Sequence, residues 1–185
     1  YNCTAEKKHE QQLAELNATL ELQVAARTAE RNTLSSLQRA ILVNAACAII
    51  ATDLDGTITL FNPAAEILLG YMSEELVGKA TPAVIHDAAE VAARAEGLSA
   101  ELGMHVEPGF DVLVAKAKLS ATDTNEWTYV RKGGSRVPVL LSVSALRRDD
   151  GQIFGYLGMV MDLSERRRNE LALRHPGRSP GDQEP

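Results

Sequence analysis

The chain has 185 residues, which suffices for one globular domain and an extension, and 45% of them are hydrophobic, enough to form a core. Its net charge of −6 gives no reason to expect a nucleic-acid partner, and no apolar run approaches the ~18–20 residues of a membrane span. Two cysteines are too few for a disulfide scaffold and no secretory signal is visible, so we expect a cytoplasmic protein.

Residues 1–44 have the composition of a long helix, because they contain no Gly or Pro and are rich in Glu, Gln, Ala, Leu and Arg. The first and fourth places of one continuous heptad frame are apolar at Leu13, Leu16, Leu20, Leu34, Leu37 and Ile41. The middle of this frame is polar, which weakens the seam while fixing register and partner number. A single amphipathic surface helix can show the same spacing, but over this length the spacing favours a parallel coiled coil. We therefore predict a homodimer held by this helix.

Residues 45–168 are expected to form the globular domain. They begin with two strand-like runs, 48–53 and 57–61, joined by Asp55-Gly56. Asp-Gly between such runs predicts a hairpin, because Gly adopts the positive φ that the tight turn requires.

Helical patterns follow the hairpin. Asn62-Pro63 is suited to begin a helix that ends at Gly70, and residues 73–78 form a second short one. Residues 82–103 have an alanine-rich helical pattern. A further helix is predicted from apolar residues spaced at i, i+3, i+4 and i+7, namely Phe110, Leu113, Val114 and Ala117.

Three strand-like runs, 126–132, 137–146 and 153–161, complete the domain. In the middle run one face is wholly apolar and the other is mixed, as in an antiparallel sheet covered mainly on one face. Two strands, several helices and three strands predict an α+β fold, a five-stranded antiparallel sheet with helices on one face. Ser164 is then suited to cap an exposed helix, and residues 169–185 are expected to hold the start of this exit helix, which frays by His175, and a disordered Pro/Gly-rich tail.

Four segments resemble, in order, the signature blocks of bacterial PAS sensor domains: 53–66, 71–79, 130–139 and 161–168, the last reading Met-Asp-Leu-Ser-Glu-Arg-Arg-Arg. This resemblance covers about residues 45–168 and implies the PAS fold. It also implies a sensory module that detects a small-molecule, redox or pH cue.

The N-terminal segment carries a resemblance of its own, because residues 16–31 are similar to the signalling helices that precede sensor domains in bacterial histidine kinases. The chain opens with Tyr1 rather than Met, so we expect a piece of a longer protein. Its parent would be a histidine kinase or a diguanylate cyclase anchored in the inner membrane. The signal would reach an effector domain of the same parent chain through Asp162, Leu163, Ser164, Glu165 and Arg166.

The resemblance places the ligand pocket largely within residues 79–125. The candidate ligand-binding residues lie there and on the strands that follow: His86, Phe110, Leu113, Val114, Trp127, Tyr129, Leu141, Val143 and Met159. His86, beside Asp87, is either a pH or ligand sensor or a half-exposed residue that caps a helix. Trp127 and Tyr129 share one strand face, and either line the pocket or pack against a partner or flanking helix.

No catalytic motif is present, so we do not expect an enzyme. The histidines lack metal-ligand spacing, and no metal site is predicted. The resemblance also argues against haem, because the usual ligand helix, here 110–119, has no histidine and leaves His105 as the fallback. It argues against flavin photochemistry, because no cysteine follows Cys47. No cofactor is therefore expected, and a ligand-free structural dimerisation module is the alternative function.

Overall fold

The structure is a computed structural model that describes residues 3–119 and 122–174. The chain divides into two units after Asn44. The first is a single helix, α1 (Cys3–Asn44), of 42 residues, which at ~1.5 Å per residue is about 60 Å long. Within the described ranges, no helix combines the length and the apolar content that crossing a membrane requires.

The apolar stripe of α1 faces solvent. The heptad residues are between 48% and 60% exposed: Leu13, Leu16, Leu20, Leu34, Leu37 and Ile41. The long helix predicted for residues 1–44 is confirmed over Cys3–Asn44, and the first two residues lie outside the described ranges. The second helix of the coiled coil stays a prediction.

The second unit is built from five strands and five α-helices within the described residues. The strands form one antiparallel sheet in the order β2-β1-β5-β4-β3. This confirms the predicted α+β fold. The elements are β1 (Ala48–Thr52), β2 (Ile58–Phe61), α2 (Pro63–Leu69), α3 (Ser73–Leu76), a 3-10 helix (Pro82–Ile85), α4 (Ala88–Leu102), α5 (Phe110–Lys118), β3 (Asp123–Val130), β4 (Arg136–Arg147), β5 (Ile153–Asp162) and α6 (Ser164–Arg174).

The core lies on one face of the sheet. The alternation predicted for the middle strand is present in β4, where Val137, Val139, Leu141 and Val143 are buried and the residues between them are only partly covered. Side chains from α2, α4 and α5 complete the same apolar cluster. β5 is the central strand and pairs with β1 on one side and β4 on the other. Any displacement of β5 therefore reaches both halves of the sheet.

Asn62 fastens the hairpin to the helix that follows. Its side-chain oxygen accepts hydrogen bonds from the N–H of Ala65, at 3.0 Å, and from the N–H of Ile49, at 2.8 Å. Its amide nitrogen donates to the carbonyl of Cys47. The predicted Asn-Pro helix start is therefore also a buried cross-link to β1.

The prediction of one continuous helix over residues 82–103 is wrong. The 3-10 helix ends at Ile85, and His86 and Asp87 are extended before α4 begins. The Asp87 carboxylate accepts hydrogen bonds from the N–H groups of Ala89 and Glu90, so it caps α4 and ends the preceding turn. His86 instead forms an isolated antiparallel bridge with Tyr129 of β3. This interruption turns the histidine inward.

Candidate functional site

A small cavity lies between the inner face of the sheet and the helices. Its volume is about 30 Å³. β1, β3, β4, β5, α5 and the start of the 3-10 helix all contribute to its wall, whose residues are Ile50, Thr52, Pro82, His86, Phe110, Leu113, Val114, Tyr129, Leu141, Val143, Tyr156 and Gly158. We call this the inner cavity. None of the described residues in its wall is an Asp, Glu, Lys or Arg.

His86 is a buried polar residue of this wall. It is only 5% exposed, and its Nδ1 lies 2.7 Å from the carbonyl oxygen of Pro82. The ring meets Tyr129 and Trp127 edge-on, with centroids 4.6 and 5.4 Å away. Burial lowers the pKa of His86 to about 4, and the Pro82 hydrogen bond opposes this shift. The imidazole is therefore neutral at pH 7.

Two polar atoms in this wall have no hydrogen-bond partner among the described residues. They are Nε2 of His86 and Oγ1 of Thr52. Thr52, at the end of β1, is also only 5% exposed. Buried polar groups are normally hydrogen-bonded, so a pair of unsatisfied atoms around one cavity marks a place where another molecule can bind.

A second hollow, of about 170 Å³, adjoins the inner cavity. We call it the outer cleft. Both are lined by His86 and Leu113, so these two side chains stand between them. The other residues of the outer cleft are small or apolar, namely Ala83, Ala88, Val91, Pro108 and Gly109.

Most of the predicted ligand-binding residues line the inner cavity: His86, Phe110, Leu113, Val114, Tyr129, Leu141 and Val143. Trp127 is buried but lines a separate surface cleft beside Arg94 and Asn125. Placing Met159 in the pocket was wrong, because Tyr156, Gly158 and Val160 carry the inward positions of β5 and Met159 is 45% exposed.

Sequence reasoning missed several residues of the inner cavity: Ile50, Thr52, Pro82, Tyr156 and Gly158. Thr52 was detectable in principle as a polar residue that ends an apolar strand. Nothing in the sequence marked Gly158 as a residue of the cavity wall, because its place there depends on the strand register that sets it opposite Ile50 and Val143.

His105, the fallback haem candidate, lies away from the inner cavity. Its Nε2 is 3.0 Å from the Glu107 carboxylate and both side chains are largely exposed. It borders a surface hollow between α4 and α5 together with Met104 and Leu119.

The predicted transmission residues lie where β5 passes into α6. The Asp162 carboxylate accepts a hydrogen bond from the Ser164 N–H at 2.7 Å, so Asp162 holds the start of the helix and not the Ser164 side chain. Leu163 is 4% exposed and its N–H donates to the carbonyl of Pro138. Glu165 and Arg166 are exposed.

Two arginines that were not among the predicted transmission residues form contacts at this junction. Arg131 lies 3.9 Å from the Asp162 carboxylate, and its Nε donates to the carbonyl of Leu68. Arg167 of α6 forms an ion pair with Glu126 of β3 at 2.5 Å. The exit helix is thus attached both to the end of β5 and to the edge strand.

The fold and the site define an α+β domain in which a five-stranded antiparallel sheet and its helices enclose a small cavity, and the central strand leads into an exit helix. A sequence profile of the family described as PAS fold matches residues 37–163, and the chain belongs to the PAS family.

Solved structures agree with this family at the level of the fold. One is the PAS domain of a protein from Colwellia psychrerythraea, with a TM-score of 0.56 and 20% sequence identity. The alignment covers 71% of the present chain and 98% of the Colwellia chain. Another is the PAS domain of an HTR-like protein from Haloarcula marismortui, with a TM-score of 0.52 and 20% sequence identity. The alignment covers 74% of the present chain and 97% of the Haloarcula chain.

A curated relative is similar over a shorter stretch. The signal transduction histidine-protein kinase AtoS of Escherichia coli (strain K12) is 48% identical over 50 residues. This stretch is 27% of the present chain and 8% of that kinase. The match therefore concerns one segment of a much longer protein.

Proposed function

We propose that this chain is the sensory module of a bacterial signal-transduction protein, and that an event in the inner cavity is passed through β5 to α6 and an effector domain of the same parent chain. The similarity to a histidine kinase supports a kinase parent, with a diguanylate cyclase as the other option. In this proposal the module itself is non-catalytic. It works on the cytoplasmic side of a parent anchored in the inner membrane.

The observation that carries this proposal is the course of β5. Tyr156 and Gly158 line the inner cavity, and Asp162, at the end of the same strand, holds the first turn of α6. β5 is hydrogen-bonded to β1 and β4 along its length, so in this proposal a displacement at Gly158 is passed along the strand to Asp162. A signal shifts the equilibrium only by its differential affinity for the two states, and such couplings are typically ~1–3 kcal/mol.

The junction is tested by Asp162→Asn. An amide oxygen still accepts from the Ser164 N–H, but the charge is lost, and charge-assisted bonds are roughly twice as strong as neutral ones. We expect thermal unfolding to change little, because a loss of about 1–2 kcal/mol is small beside the ~5–15 kcal/mol of a typical domain. Hydrogen exchange at the start of α6 should accelerate, and the output of the full-length protein should change.

Asp150→Asn is the matched control. Its carboxylate accepts from the Gln152 N–H at 2.9 Å, the same local arrangement, but in the turn before β5. This variant should leave exchange in α6 and the output unchanged. If Asp162→Asn also matches wild type in both measurements, the junction does not transmit the signal.

We further propose a parallel homodimer held by α1, because a stripe of large apolar residues exposed along one helix is most stable against a second copy. Light scattering should show a dimer. Deleting residues 1–44 should leave a folded domain that is monomeric or only weakly dimeric.

A substitution within the helix tests the seam itself. Leu20→Ala with Leu37→Ala should dissociate the dimer, whereas Leu22→Ala with Val24→Ala, at residues that are more exposed and lie outside the heptad frame, should not. A tight dimer that persists after the deletion would place the interface on the globular domain.

The alternative function is a structural dimerisation module without a ligand. The size of the inner cavity favours it, since about 30 Å³ is far below the ~300 Å³ at the lower end for ligand pockets. Native mass spectrometry of the purified protein, with its absorbance spectrum, separates the two functions. A bound small molecule supports sensing, and a Soret or flavin band at near stoichiometric amounts would identify a cofactor.

A further inference from the structure

We propose that the inner cavity and the outer cleft together bind a neutral, mainly apolar molecule with one hydroxyl group, of the phenol class, and that this hydroxyl donates its hydrogen to Nε2 of His86. This inference rests on the proposed sensory function and specifies the chemistry of the cue. Four features of the described residues lead to it: the tautomer of His86, the free hydroxyl of Thr52, the uncharged wall and the adjoining cleft.

The tautomer follows from the contact with Pro82. A carbonyl oxygen only accepts hydrogen bonds, so Nδ1 of His86, 2.7 Å away, must carry the proton. A buried neutral imidazole has a single N–H, which leaves Nε2 with a lone pair and no hydrogen. Nε2 therefore requires a donor, and none is supplied by the described residues. A ligand that only accepts hydrogen bonds does not satisfy it.

Thr52 supplies the complementary half of the site. Its Oγ1 is also without a partner and lines the same cavity. A threonine hydroxyl both donates and accepts, so it can donate to the oxygen of a ligand hydroxyl that itself donates to His86. An ether or a halide lacks the hydrogen for His86, so neither satisfies both polar atoms.

The wall of the inner cavity selects for a neutral molecule. The described residues of this wall include no charged side chain to pair with an ion, and burying an unpaired charge is strongly unfavourable. Phe110, Tyr129 and Tyr156 supply aromatic surface, and Phe110 and Tyr156 already meet edge-on at 5.7 Å. An aromatic ring that carries a hydroxyl matches this surface better than an aliphatic chain does.

In this proposal the inner cavity and the outer cleft each hold one part of the ligand. The inner cavity, about 30 Å³, has room for the hydroxyl and a few neighbouring atoms, whereas the outer cleft, about 170 Å³, can hold the rest. Leu113 and His86 separate them. In this proposal a rotamer change of Leu113, which lines both hollows, joins the two spaces. The outer cleft then serves as the entrance.

The test compares phenol with toluene, which replaces the hydroxyl by a methyl group of similar size. Titration calorimetry on the full chain should show phenol binding about tenfold more tightly, the effect of one well-made hydrogen bond. In Thr52→Val, which keeps the side-chain shape, and in His86→Phe, which keeps an aromatic ring, this preference should fall to less than about threefold. Affinity for toluene should hold or rise in both variants.

Gly158→Ala tests whether the ligand occupies the inner cavity. A Cβ there would lie 3.2 Å from Cδ1 of Leu141 and narrow the inner cavity without touching either polar atom. It should weaken phenol and toluene binding alike. Equal affinity for phenol and toluene in wild type, or no binding of phenol, would overturn the proposal.

Output of the full-length protein separates this inference from the proposed function. If Gly158→Ala alters output while phenol fails to bind in preference to toluene, sensing stands and the hydroxyl ligand is wrong. If neither Gly158→Ala nor Asp162→Asn alters output, the sensory function itself is wrong.

Discussion

Gly155→Ala should lower the unfolding temperature of the domain by roughly 10 °C, a loss of about 3 kcal/mol or more. Gly155 lies in the central strand β5, and a Cβ built on it falls well inside van der Waals contact with the backbone carbonyl oxygen of Thr52. A backbone atom held in the β1–β5 ladder cannot rotate away, so the strands would have to separate. Thermal and urea unfolding measure the effect.

Gly158→Ala is the control for this prediction, because it places the same methyl group in the same strand. There the nearest atom is the end of the flexible Leu141 side chain, and the nearest backbone atom, the Ile50 carbonyl oxygen, is at an ordinary 3.5 Å. We expect its unfolding free energy to change by less than about 1 kcal/mol. If Gly155→Ala were as stable as Gly158→Ala, the close approach of β1 to β5 would be incorrect.

Acid should destabilise the domain through His86. Its pKa is lowered to about 4 by burial, while an unfolded histidine has a pKa near ~6.5. Between these values the unfolded chain binds a proton that the folded chain does not, so stability is present above about pH 6.5 and is lost as the pH falls. From pH 7 to pH 5 the loss from this one group is about 2 kcal/mol.

His86→Phe separates this contribution from those of other groups. Urea unfolding at pH 5, 6 and 7 should show a steeper loss of stability in wild type than in the variant. The carboxylates of Glu75 and Glu101 have lowered pKa values because Lys132 and Lys116 donate hydrogen bonds to them, so their contribution is lost only below this range. Equal pH dependence in the two proteins would show that His86 is not buried in its neutral form.

Much of the fold was predictable because local rules determined it. The Asp55-Gly56 turn, the Asn62-Pro63 helix start and the alternation along β4 depend on residues close in sequence, and each is present in the structure. The long helix α1 was predictable for the same reason, since the absence of Gly and Pro is a local property.

The candidate site was predictable only in part. Phe110, Leu113 and Val114 belong to a helix whose apolar face is visible in the sequence, and they do line the inner cavity. Met159 was misplaced because the apolar run of β5 continues on both faces, so composition does not distinguish inward from outward residues. The pairing of β5 with β1 and β4 makes that distinction.

By itself, then, the sequence determined the order of helices and strands, the heptad stripe and the apolar face of α5, since spacing along one segment is enough for each. Only the tertiary structure decided which groups meet across segments. The bridge from His86 to Tyr129 interrupts an apparently continuous helix. Thr52 lies 34 residues before His86 in the sequence, yet both residues line the same cavity. Such contacts depend on strand register and on buried volume, and neither quantity is encoded in the periodicity of a single segment.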